Sequence, residues 1–204
     1  MHARFVILTT LGLIVAGGLA AQTRVQTETI QPPAAPGAPQ APAVATEPSV
    51  PAEIITDLSR LPVPVARMRQ RILEAARSGD LEKLLLVMQS NETLPVFSFG
   101  DEKDPIAFWK SNFPDSDGVE ILATLIQILE TSFVHIARKT PQDMYVWPYF
   151  VQMPLRGLSR EQKVELFRIV TGADYKEMAE FGAYSFYRVG IAPDGVWHYF
   201  VAGE

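Results

Sequence analysis

The chain reads as an α+β protein, with a helical N-terminal half and a small antiparallel sheet formed largely by a C-terminal β-hairpin. Three observations predict this. Apolar residues between Val65 and Leu129 recur at three- and four-residue spacing, the period of one helix face. Capping residues bracket those stretches, with Asp80, Asp104 and Ser159 each placed just before a helical pattern. The C-terminus carries two β-rich runs, Tyr184 to Ile191 and Val196 to Ala202, around the turn residues Pro193-Asp194-Gly195.

The first element is an apolar run from Phe5 to Ala21, preceded by His2 and Arg4 and closed by Ala20 and Ala21. A short positive start, an apolar stretch and small residues at its end are the pattern of a secretory leader, so residues 1–21 are expected to be a signal peptide. The alternative is an uncleaved inner-membrane anchor over residues 5–21, which a run slightly shorter than the roughly 20 residues of a spanning helix disfavours. Residues 22–52 hold seven prolines and no aromatic residue. Proline at this density favours extended polyproline II over helix, and the segment has little apolar surface to offset the entropy of ordering. It is expected to be a disordered Pro/Ala-rich linker, with a recognition segment for an aromatic groove as the alternative. Residues 53–204 are left as a single globular domain.

In that domain a helix is expected after Pro64, with Val65, Met68, Ile72, Leu73 and Ala76 on its apolar face. Gly79 suits its end and Asp80 caps a second helix, from Leu81 to about Gln89. Leu94 to Gly100 reads as loop or extended chain. Asp104-Pro105 opens a third helix, to Asn112, and Phe113 to Gly118 is a turn. Val119 to Thr131 is apolar nearly all round, the profile of a buried central helix. Phe133 to Ala137 either continues it or becomes a strand. Met144 to Met153 is aromatic and broken by Pro148, which favours an edge strand or an extended crossing. Ser159-Arg-Glu-Gln162 is a capping box for a helix through about Val170, and a short helix from Ala173 to Phe181 ends at Gly182.

For the hairpin, a three-residue loop pairs Ala192 with Val196, Ile191 with Trp197 and Val189 with Tyr199. That register sorts Tyr187, Val189, Ile191, Trp197, Tyr199 and Val201 onto a core face. Phe186, Arg188, His198 and Phe200 fall on the other, so Arg188 and His198 are expected side by side.

Composition excludes several chemistries. There is no cysteine, so disulfides, thiolate metal sites, thiol catalysis and a lipid-attachment thiol are all ruled out. The net charge is −5, and −6 without residues 1–21, from 17 basic and 23 acidic residues, which makes a poor nucleic-acid binder. Arg67, Arg69, Arg71 and Arg77 lie on one helix and read as a solvated face. Only His135 and His198 follow the leader, too few for a metal constellation, and neither a phosphate-cradling glycine loop nor a Gly-x-Ser-x-Gly elbow occurs. No metal and no cofactor is expected. Arg188 with His198 is the one polar pair that geometry places, either as an anion or acid–base site or as ordinary exposed strand polarity. His135 lies among apolar neighbours and reads as a hydrogen-bonded core or edge residue. Tyr145, Trp147 and Tyr149 are candidates to line an apolar pocket or a partner surface, with core packing as the plainer reading. Asp101 and Glu102 suggest carboxylate chemistry only together with Asp104, which capping explains more simply.

The run Met144-Tyr-Val-Trp-Pro-Tyr-Phe150 and the ending Tyr187-Arg-Val-Gly-Ile-Ala-Pro-Asp-Gly-Val-Trp-His-Tyr-Phe-Val-Ala-Gly203 resemble uncharacterised exported proteins of alphaproteobacteria. The resemblance implies an exported location and a shared domain, and no particular reaction. Ala75-Ala-Arg-Ser-Gly-Asp-Leu-Glu-Lys83 and the final hairpin also resemble the opening helix pair and closing strands of cone-shaped domains of the nuclear-transport-factor-2 type, which implies a sheet over an apolar pocket. The leading expectation is a periplasmic or secreted, non-catalytic binding or interaction module whose partner is an envelope protein or a small apolar ligand. The alternatives are a small hydrolase or acid–base enzyme using His198 and Arg188, and a carrier with an apolar pocket under Tyr145, Trp147 and Tyr149.

Overall fold

A computed structural model describes residues 53–203. The leader and linker expected over residues 1–52, and Glu204, lie outside the described residues. The described chain is α+β. In order it runs through β1 (Ile54–Ile55), α1 (Val63–Arg77), α2 (Leu81–Met88), α3 (Pro105–Asn112), α4 (Glu120–Leu129), β2 (Phe133–Ile136), β3 (Met144–Trp147), α5 (Arg160–Leu166), α6 (Gly172–Phe181), β4 (Arg188–Ile191) and β5 (Trp197–Val201). The five strands form one antiparallel meander in the order β1-β2-β3-β4-β5. The C-terminal hairpin supplies two of them.

Local chemistry sets the helix starts. The Asp80 carboxylate accepts the Glu82 N–H at 2.9 Å, and Asp104 accepts from Ile106 and Ala107 at 3.0 and 3.1 Å. Ser159 with Gln162, and Thr171 with Asp174, form reciprocal capping boxes, each satisfying two backbone donors. Gly79 and Gly182 take the positive φ that ends α1 and α6. The helix expected to run to Val170 stops earlier, at Leu166. The chain from Phe167 to Val170 continues in single turns instead.

Helices α1 and α4 pack on each other and on β4, so they cover one face of the sheet. Val65, Met68, Ile72 and Leu73 of α1 meet Ile121, Leu125 and Ile128 of α4 in one continuous apolar core. All three tryptophans are fully buried there: Trp109, Trp147 and Trp197. Trp197 donates its indole N–H to the Tyr199 carbonyl at 2.9 Å, whereas those of Trp109 and Trp147 have no partner among the described residues.

The arginine stripe of α1 is divided by function. Arg67 and Arg71 are exposed, as expected of a solvated face. Arg69 is half-buried and donates from Nε and a terminal nitrogen to the Leu129 carbonyl, at 3.1 and 2.7 Å. It thereby satisfies a C-terminal carbonyl of α4, where a cation also complements the helix dipole. Arg77 reaches Glu130 at 2.9 Å in the same corner.

Two expectations are corrected. The segment Met144 to Trp147 is a central strand, flanked by β2 and β4, and not an edge. Pro148 lies one residue beyond it, so its missing N–H removes no bond from the ladder. The hairpin register also changes partway along. Ala192 donates to the Val196 carbonyl and Ile191 pairs with Trp197, as the three-residue loop requires. Beyond that point a bulge inserts His198, and the partners become Gly190 with Tyr199, Val189 with Phe200 and Arg188 with Val201. The His198 carbonyl accepts the Val96 N–H at 2.9 Å and the Val96 carbonyl accepts from Phe200 at 2.8 Å, so a loop residue covers part of the β5 edge.

Candidate functional site

The bulge decides what each sheet face carries. One side holds Phe133, Tyr145, Trp147, Val189, Ile191 and Phe200, all buried against the helices. The register places Ile136, Val146, Arg188, Gly190 and Tyr199 together on the opposite side. Without the bulge Tyr199 would face the helices. With it, the tyrosine crosses to the second face and lies over Gly190, whose missing Cβ makes room for the ring.

A cleft of about 360 Å³ opens over this second face. Its apolar wall is Ile136 and Val146 from the sheet, Val151 from the turn after β3, and Ala183 from the segment after α6. Its polar groups are Gln152, Tyr184, Arg188 and Tyr199. Two connections therefore roof one patch of sheet. The Tyr184 hydroxyl donates to the Tyr187 carbonyl at 2.9 Å, which fixes the segment that follows α6. Burial pushes the phenols of Tyr184 and Tyr199 above the usual tyrosine range, with Arg188 the opposing influence. Both are neutral at physiological pH. Arg188 is half-buried and has no ion pair among the described residues.

The expected site residues separate. Arg188 lines the cleft. His198 is the bulge residue, is exposed, and lies opposite the far end of β4 from Arg188. The pair anticipated from an unbroken register is therefore not formed. Tyr145, Trp147 and Tyr149 are 7, 0 and 2 % exposed and serve as core, with Tyr145 and Trp147 on the helix-covered face. The apolar wall of the cleft comes from other residues. Asp104 caps α3, and Glu102 accepts a hydrogen bond from the Ser98 hydroxyl at 2.6 Å, while Asp101 is exposed. Gln152, Tyr184 and Tyr199 were missed as site residues. Aromatic density is the only sequence signal for the two tyrosines and Gln152 has none, because the cleft joins β2, β3, the turn after β3, the segment after α6, β4 and β5.

Gly190 tests this arrangement. A methyl group there runs into the Tyr199 ring. Gly190→Ala is expected to cost about 1–3 kcal/mol, the usual range for overpacking a filled site, and to displace Tyr199 from the cleft. Urea unfolding followed by tyrosine fluorescence checks the first effect. An unchanged midpoint would remove the close packing on which the cleft floor depends.

A second polar cluster lies at the β2–β3 turn. His135 Nε2 is 2.6 Å from Asp143 Oδ1, and its ring stacks on Tyr145 with centroids 4.1 Å apart. Asp143 Oδ2 accepts the Lys139 N–H at 2.8 Å. Ala137 and Lys139 both hold positive φ in this turn, a conformation that non-glycine residues keep only when their surroundings impose it. The Lys139 N–H and the His135 ring hold the Asp143 carboxyl below its usual range, against the opposing effect of partial burial. A depressed carboxyl adds stability above its unfolded value of about 3.9, and that stability is lost as pH falls through the lower folded value. Asp143→Asn is therefore expected to be less stable than the native chain at pH 5, with the gap narrowing as pH falls towards 2. A gap constant across that range would show that Asp143 does not titrate as a latch.

Among the described residues no group of three His, Asp or Glu side chains is placed to hold a metal ion, and no helix is long and apolar enough to cross a membrane. No protein family, curated protein or solved structure matches this chain.

Proposed function

We propose that this chain is an exported, non-catalytic binding module of the cell envelope, and that its ligand sits in the cleft over the second face of the sheet. One observation carries the reading: an apolar patch of sheet is roofed by two connections that bring Gln152 and Tyr184 to the same cleft as Arg188 and Tyr199 of the sheet. Small-ligand sites commonly combine an apolar wall with a few convergent polar groups. The leader pattern of residues 1–21 and the Pro/Ala-rich stretch of residues 22–52 support the exported, tethered part of the reading. The acid–base alternative needed His198 beside Arg188, and the bulge separates them.

The test is a screen of small amphipathic fragments against the full chain lacking only its leader, followed by methyl NMR. Binding is expected to move the Ile136, Val146 and Val151 methyl signals and to leave those of α1 unmoved. Fragments that shift only helix-layer methyls, or a turnover on envelope substrates abolished by His198→Ala, would defeat the proposal.

A further inference from the structure

The cleft has a charge character that its apolar wall does not explain. Arg188 is the one basic residue of its lining, and no carboxylate lines it. The chain as a whole carries net charge −5, so an acidic neighbour would be the ordinary way to neutralise a half-buried guanidinium. None does so among the described residues. Removing a cation from water without a partner is unfavourable, and a ligand anion relieves that cost.

From this, and resting on the cleft being the ligand seat, we infer that the ligand is a monocarboxylate with a compact apolar body, its carboxylate held by Arg188 and its body lying on Val146 and Ile136. A guanidinium presents two parallel N–H donors that match the two oxygens of a carboxylate. The Tyr199 hydroxyl and the exposed Gln152 amide stand at the same cleft, and neither has a hydrogen-bond partner among the described residues, so both are available to a ligand. Tyr184 is committed to Tyr187 and acts as wall. One cation in an acidic chain suits a monoanion better than a phosphate dianion. The volume of about 360 Å³ lies near the lower end of the roughly 300–1,000 Å³ typical of small-ligand pockets, so the apolar body is short.

The experiment is calorimetric titration of the full chain lacking its leader with phenylacetate, octanoate, the two corresponding amides and inorganic phosphate, repeated on Arg188→Gln and Arg188→Lys. The acids are expected to bind at least about 10-fold more tightly than their amides, and Arg188→Gln to weaken acid binding about 10- to 100-fold while leaving amide binding in place. Arg188→Lys, which keeps the charge and loses the fork, falls between. Amides binding as tightly as acids, or phosphate binding as tightly as either acid, overturns the carboxylate assignment while the cleft remains a ligand seat. Binding of neither acids nor amides removes both. If Arg188→Gln does not fold, the acid-to-amide ratio on the native chain and on Arg188→Lys decides.

Discussion

Trp197→Ala is expected to destabilise the protein by about 3–5 kcal/mol, the range for deleting a large buried aromatic side chain. Trp197 is fully buried and begins β5 immediately before the bulge. Its indole N–H meets the Tyr199 carbonyl, and its backbone N–H and carbonyl are both held by the Asn91 amide, at 3.3 and 3.1 Å. The substitution therefore removes apolar contact, opens a cavity and frees the strand where it turns its residues over. A domain of this size holds about 5–15 kcal/mol in all, and no disulfide is present to limit the loss. The urea midpoint reads the effect directly. Trp197→Phe keeps most of the volume and is expected to lose less than half as much. Equal losses for the two variants would mean that the indole hydrogen bond, and not the filled volume, stabilises the strand.

Arg69→Ala is the second large effect, expected at about 1.5–3 kcal/mol. Both donors go to one carbonyl at the end of α4, and hydrogen bonds from charged groups contribute about that much. The side chain is also half-buried, so truncation loses contact as well as charge. Arg67→Ala and Arg71→Ala, on the exposed part of the same helix, are expected to change stability by no more than about 0.5 kcal/mol. The contrast between the three variants, measured by thermal unfolding, separates a capping role from a general effect of removing positive charge. Similar shifts for all three would contradict the capping role.

The helices were legible because their signals are local. Asp80, Asp104 and Ser159 act within three residues of their own position, so reading the sequence and reading the structure find the same bonds. The α+β class and the three-residue hairpin loop are legible for the same reason. Arg69 was not, because its partner lies 60 residues away and nothing in the α1 pattern distinguishes it from Arg67 or Arg71. The hairpin register failed at one residue. Aromatic and aliphatic side chains occur at both alternations of β5, so hydrophobic sorting fits the bulged and unbulged registers almost equally well. The loop fixed the first pair, Ile191 with Trp197, and could not report an inserted residue beyond it. That inserted residue sends Tyr199 to the second face. The cleft therefore follows from the one feature of the hairpin that alternation cannot reveal, together with Gln152 and Tyr184 on remote connections.

The most direct measurement is a crystal structure of residues 22–204 grown with phenylacetate. The aromatic ring is expected on Val146 and Ile136 beneath Val151, with both carboxylate oxygens at hydrogen-bond distance from Arg188. Density for the acid among the helices or on the outer surface, with the second sheet face empty, would contradict that placement.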